Sequence, residues 1–148
     1  APNFNIKNLV YSDINLDGGN AVFSPSKETV IISDRVFSEN LKYSSAELVQ
    51  KLEKLLEARV IIIPSLRLDM TGHADGMVRF VDENTVVTNA PLSPYGFETK
   101  VKKSLQNYGF NVIDFPYFDS KGDSAVGFFF FLFRNRAGNF SAGVRCRN

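Results

Sequence analysis

Cysteine and histidine occur once each in the 148 residues, as Cys146 and His73. One thiol excludes an intrachain disulfide and any multi-cysteine metal centre. Charge of one sign is also missing, because 17 basic residues are balanced by 16 acidic ones. A chain without a basic excess is not built for general electrostatic binding to nucleic acid or to an anionic membrane. Long apolar runs are absent as well. Phe128 to Phe133 is the strongest, and it falls far short of the roughly 20 residues a spanning helix needs. No signal-peptide pattern is visible, and a lone thiol is compatible with a reducing compartment, so the expected setting is cytoplasmic. The start at Ala1-Pro2 fits processing or a piece of a longer chain. What is present is an ordinary apolar content and a length that suits one α/β domain with a sizeable core.

The order of apolar segments and turns predicts two similar modules, at about 9–64 and 65–116. In the first, Ala21–Phe23 and Thr29–Ile32 flank a Ser-Pro-Ser-Lys-Glu turn and read as a hairpin. Ser44 with Glu47 forms a capping-box pattern, and Tyr43 and Leu48 stand where a hydrophobic staple would. A helix follows to about Ala58, with Leu48, Leu52, Leu55 and Leu56 on one face. Val60–Ile63 shows no alternation, as expected of a strand covered on both sides, and Pro64 ends it. The second module repeats this order. Met77–Val81 and Thr85–Thr88 form a hairpin, Phe97–Tyr108 a helix stopped by Gly109, and Val112–Phe115 a strand followed by Pro116. Val22 matches Val78 and Thr29-Val30 matches Thr85-Val86 at an offset of 56, and the two prolines match at 52. Short apolar strands also align by chance, but shared element order and turns favour an internal repeat. Residues 117–133 would begin a third module, and 134–148, with four arginines and no acid, read as a tail.

Early in the second module lies Thr71-Gly72-His73-Ala74-Asp75-Gly76. If the following strand begins at His73, residues two apart point the same way, and the imidazole and the Asp75 carboxylate face a common point. The flanking glycines allow tight angles or close approach to a ligand. The plain alternative is a surface His and Asp at the end of a loop. The repeat adds a second consequence: at the offset of 56, Asp17 is the counterpart of His73. Modules related by an axis would make these two distant residues neighbours. Asp17 in Asp17-Gly18-Gly19-Asn20 could equally be a turn-capping acid.

Leu16-Asp17-Gly18-Gly19-Asn20, followed by Asp69 to Phe80 with its Gly72-His73-Ala74-Asp75 core, resembles the guanidine-modifying superfamily. It is most similar to the agmatine deiminase and bacterial peptidylarginine deiminase family, over roughly residues 9–133. Members carry an acidic-Gly-Gly motif, then Gly-His-x-Asp, then a Cys near the C-terminus. The resemblance implies a partial pentein, a β/α propeller of five modules of which this chain would hold two and the start of a third. It implies hydrolysis of a guanidinium group of agmatine, arginine or peptidyl-arginine to a ureido group and ammonia, through a thiouronium on the Cys. No cofactor or metal is implied. His73 would be the acid–base residue, Asp17 would orient it, Gly18 and Gly19 would let the backbone pack near the axis, and Asp75 would bind the substrate guanidinium through paired hydrogen bonds.

The chain also departs from the pattern. The family's upstream substrate carboxylate has no counterpart, because Asp13 is too close to the first motif. Cys146 lies only 73 residues beyond His73, between two arginines instead of in a Gly-rich, His-Cys context. The expectation is a fragment of a deiminase, inactive alone, whose open strand edges are covered by a homo-oligomer. The alternatives are a non-catalytic, protein-binding pentein module, and a metal hydrolase on His73, Asp75 and Asp17. The latter would be poorly supplied with nitrogen and sulfur ligands.

Overall fold

Thr29–Ser33 (β2) is the strand on which the first module is built. The computed structural model describes residues 10–66, 69–91 and 93–115, and the backbone of 132–134 and 140–142. The β-branched run Thr-Val-Ile-Ile favours a pleated, buried strand. It pairs antiparallel with Val22–Phe23 (β1), Val22 lying opposite Ile31. A short helix, Arg35–Glu39 (α1), follows, held by an Arg35 Nε–Glu39 Oε1 contact of 2.8 Å one turn apart. Ser45–Leu56 (α2) then starts at Ser44, whose hydroxyl accepts the Glu47 N–H at 3.3 Å. That bond satisfies one of the helix's orphan donors, and the Glu47 carboxylate suits the positive end of the helix dipole. The chain returns as Arg59–Ile63 (β3), parallel to β2, giving the sheet order β1-β2-β3.

The second module has the same plan. Val78–Phe80 (β4) pairs antiparallel with Thr85–Asn89 (β5), helix Phe97–Asn107 (α3) crosses over, and Asn111–Phe115 (β6) returns parallel to β5. Gly109 takes a positive φ of 93°, which only glycine adopts without strain. Its N–H bonds to Gln106 O, and that of Phe110 to Leu105 O, a paired closure of the helix end.

The repeat is visible in the hydrogen bonds that flank the parallel pairs. Thr29 faces Arg59 as Thr85 faces Asn111. Arg59 N–H bonds to Glu28 O and Asn111 N–H to Asn84 O, both at 2.8 Å. Asp34 N–H bonds to Ile63 O and Ala90 N–H to Phe115 O, again both at 2.8 Å. The shift in offset from 56 to 52 has a structural cause. The β2–α2 connection carries α1, and the described residues of the β5–α3 connection form no helix in its place. The hairpins differ by one position: Val22 pairs with Ile31, whereas Val78 pairs with Thr88.

Two apolar clusters lie on either face of the first sheet. Val30, Ile32 and Val60 pack against Leu48 and Leu52 of α2, with Tyr43 against the same cluster. Val22, Ile31, Ile61 and Ile63 pack with Val101 and Leu105 of α3 and with Val78 and Val86 of the second sheet. The helix of the second module is thus shared between both sheets, and Ser104 Oγ also donates to Ile62 O at 3.2 Å. Strand β3 is covered on both sides, as its unbroken apolar run predicts. Its counterpart β6 is not: Ile113, equivalent to the fully buried Ile61, is 48 % exposed.

The condition that a strand begin at His73 is not met, because β4 begins at Val78, close to the expected Met77. Tyr108, expected as the last residue of the helix, is its C-cap and is 40 % exposed. Neither three-stranded sheet closes on itself. An antiparallel pair, Leu132–Arg134 (β7) with Phe140–Ala142 (β8), occupies part of what reads in sequence as the third module and tail. The rest of 117–148, with Pro116 and Cys146, lies outside the described residues. No described helix is long and apolar enough to cross a membrane.

Candidate functional site

Two three-residue 3-10 turns, Gly18–Asn20 and Ala74–Gly76, introduce the hairpins of the two modules. Each follows a residue in extended conformation: Asp17 at φ −69°, ψ 139°, and His73 at φ −78°, ψ 148°. In each, the carbonyl of that residue accepts from the N–H three positions on, at 2.9 Å for Asp17–Asn20 and 3.4 Å for His73–Gly76. One backbone form, placed twice, carries two different side chains to one place. His73 Nε2 lies 3.1 Å from Asp17 Oδ2. An ionised carboxylate only accepts, so the Nε2 proton belongs in this contact, and neutral His73 keeps its lone pair on Nδ1.

Gly19 completes the arrangement. A Cβ at this position would stand 2.7 Å from His73 Nδ1 and 3.2 Å from Asp75 Oδ2. The first turn therefore lies directly against both groups of the second, and the missing side chain leaves Nδ1 uncrowded. Asp75 reaches this point from inside the 3-10 turn and not along a strand. The imidazole is 19 % exposed and the Asp17 carboxylate 57 %, so the pair is open to solute from the Asp17 side.

Three further residues, Asn20, Asp69 and Arg79, bear on the site, and the sequence reading assigned none of them a role. Asn20 is fully buried, and its Oδ1 accepts from Ser33 N at 2.9 Å and from Ala74 N at 3.2 Å. Asp69 shapes the approach to His73 by accepting from Thr71 N at 2.9 Å and Thr71 Oγ1 at 3.0 Å. Burial pushes the Asp69 carboxyl up, but these donors, the Gly72 N–H and the nearby His73 outweigh it and hold it below its ordinary value. Arg79 is half-buried and donates to Val78 O at 3.0 Å. Burial lowers its pKa, and the Asp75 carboxylate acts in the opposite direction. For Gly19 the sequence reading expects close backbone packing but not the groups it meets, His73 and Asp75. Its contact crosses between modules, so no local pattern reports it.

His73, Asp17 and Asp75 are thus brought to one place. Asp13 belongs elsewhere: its Oδ2 lies 2.7 Å from both Lys42 Nζ and Tyr43 OH. The hydrogen bonds from Lys42 and then Tyr43 lower its pKa to about 2. Among the described residues, no group of three or more His, Cys, Asp or Glu is placed to hold a metal ion. What the cluster offers is an imidazole with one nitrogen fixed by a carboxylate, the other beside a backbone without a side chain, and a second carboxylate within reach.

No protein-family model matches the chain, and a search of curated proteins found no match. Solved structures do match. Agmatine deiminase from C. jejuni, determined with substrate bound, superposes with a TM-score of 0.62 at 21 % identity, over 72 % of this chain and 35 % of that one. The C. jejuni enzyme in a second structure gives 0.62 at 20 % identity, over 74 % and 37 %. The agmatine deiminase of Enterococcus faecalis gives 0.58 at 18 % identity, over 76 % and 36 %. The chain spans little more than a third of the length of these enzymes. At these identities the likeness is one of fold: this chain has the mixed α/β fold found in agmatine and peptidylarginine deiminases.

Proposed function

We propose that this chain forms part of a guanidinium deiminase, a C–N hydrolase that converts the guanidinium of agmatine, arginine or peptidyl-arginine to a ureido group and ammonia. The observation that carries the proposal is the His73–Asp17 contact of 3.1 Å with Asp75 packed beside it across Gly19. A planar, cationic guanidinium offers forked donors, and the Asp75 carboxylate is the acceptor that suits them. A thiolate attacks the guanidinium carbon, and the C–N bond breaks as protonated His73 gives its proton to the departing ammonia. Neutral His73 then takes a proton from the water that displaces the thiolate and leaves the ureido product. Asp17 holds the imidazole by Nε2 throughout, which leaves Nδ1 to exchange the proton. The packing of α3 against the first sheet supports a propeller reading for the modules.

In this reading the thiol and a second substrate carboxylate come from outside the matched motifs, and the chain alone binds guanidinium compounds without turning them over. The non-catalytic alternative gives no reason for Asp17 and His73 to meet, so their contact favours the catalytic one. Agmatine, arginine and an arginyl peptide should each shift the His73 ring signals in NMR, and Asp75→Asn should abolish the shift. Assays of the same chain for ureido product and ammonia should be blank. Ligand shifts that persist unchanged in Asp75→Asn would remove Asp75 from the proposal. Turnover abolished by Cys146→Ser would show the chain to be complete in itself.

A further inference from the structure

The Asp17–His73 contact joins two turns that lie far apart in sequence, and its Asp17 side is open to solvent. A single contact open to solvent on one side holds its own geometry weakly. Something beneath it must set the distance between the turns. The only buried side chain at that junction with bonds to both sides is Asn20, among the described residues. It is the last residue of the Asp17 turn and is completely covered. A single atom, Oδ1, accepts the N–H of Ser33 at 2.9 Å and the N–H of Ala74 at 3.2 Å. Ser33 is the last residue of β2, in register with Ile63 of β3, so the first bond ties the Asp17 turn to the rigid centre of the first sheet. Ala74 directly follows His73, so the second bond ties the imidazole's own backbone to the same oxygen.

The side-chain nitrogen of Asn20 has no hydrogen-bond partner among the described residues. The residue is therefore held by its oxygen, and its work is acceptance. Nothing in the repeat demands it, because the equivalent position in the other turn is Gly76, which has no side chain. One asparagine serves both turns, and replacing it by an apolar residue leaves two buried donors without an acceptor.

We propose that Asn20 is a positioning residue that sets the placement of the His73 imidazole against Asp17 by fixing Ser33 N and Ala74 N on one oxygen. Its importance for turnover rests on the deiminase reading. The test reads the place of the imidazole instead of catalysis, so failure of one idea is distinguishable from failure of the other. His73 is the only histidine, and its ring signals in a carbon–proton NMR spectrum are assigned without ambiguity. At fixed pH, Asn20→Leu should move those signals towards their position in Asp17→Asn and speed amide exchange at Ala74 and Ser33 by about tenfold. Leu52→Ala, a core truncation in α2, should lower the melting temperature while leaving the ring signals in place. Asn20→Gly, which copies the composition of the other turn, carries the test if the leucine variant does not fold. In the unmodified chain, scalar coupling across the hydrogen bond from Ala74 N to Asn20 Cγ should be detectable. Absence of that coupling, or ring signals unchanged in a folded Asn20 variant, overturns the proposal.

Discussion

At the scale of single residues, the site depends on a side chain that is not there. A methyl group on residue 19 would stand 2.7 Å from His73 Nδ1, well inside contact distance, and the turn or the imidazole must move. Gly19→Ala should therefore weaken guanidinium binding by about tenfold or more, since about 1.4 kcal/mol of misplacement is a factor of ten. Melting temperature should change little by comparison. Calorimetric titration with agmatine beside a thermal melt checks both halves. Asp13 gives a prediction in pH. Its folded pKa of about 2 lies below the ordinary 3.8, so its hydrogen bonds to Lys42 and Tyr43 stabilise the fold fully above pH 3.8. That contribution fades as pH falls through about 2. The stability difference between the parent and Asp13→Asn should be constant from neutrality to about pH 5 and vanish near pH 2, as followed by urea melts. The sequence made His73 and Asp75 readable, because both stand in one short motif. It also placed Asp17 beside His73, through the repeat. Asn20 and Asp69 stayed silent, because their roles lie in contacts with backbone N–H groups that side-chain types do not announce.

At the scale of elements, the apolar periods and punctuation of the sequence predicted six strands and two helices close to where they stand. Ser44 caps α2, Gly109 closes α3, and each parallel strand follows its helix. The 3-10 turn after His73 was not legible, since three residues are too few to show a period. Helix α1 escaped for the same reason. The end of α2 shows where the repeat is imperfect. Glu57 holds φ at 52°, in the place where the second module has Gly109. A left-handed conformation costs a residue with a Cβ about 1–2 kcal/mol. Glu57→Gly should raise stability, by about 0.5–1 kcal/mol once the greater freedom of glycine in the unfolded chain is set against the relief. Denaturant unfolding with an unchanged slope checks it.

At the scale of the whole molecule, the decisive feature is the place of α3 between two sheets. Val101 and Leu105 contact apolar residues of both modules, so the two modules cannot come apart without exposing Ile61 and Ile63. Leu105→Ala removes a fully buried side chain and should cost about 2–5 kcal/mol. Unfolding should remain a single transition, with circular dichroism and the NMR signals of both modules changing together; two separate transitions would contradict the shared core. In binding terms, α3 is a ligand of the first sheet, and the second sheet is its tether. The affinity that matters is then an effective concentration, set by the few residues joining β5 to α3 and not by the contact alone. Lengthening that joint would loosen the first module as surely as mutating its own core, although not one of the first module's residues had changed.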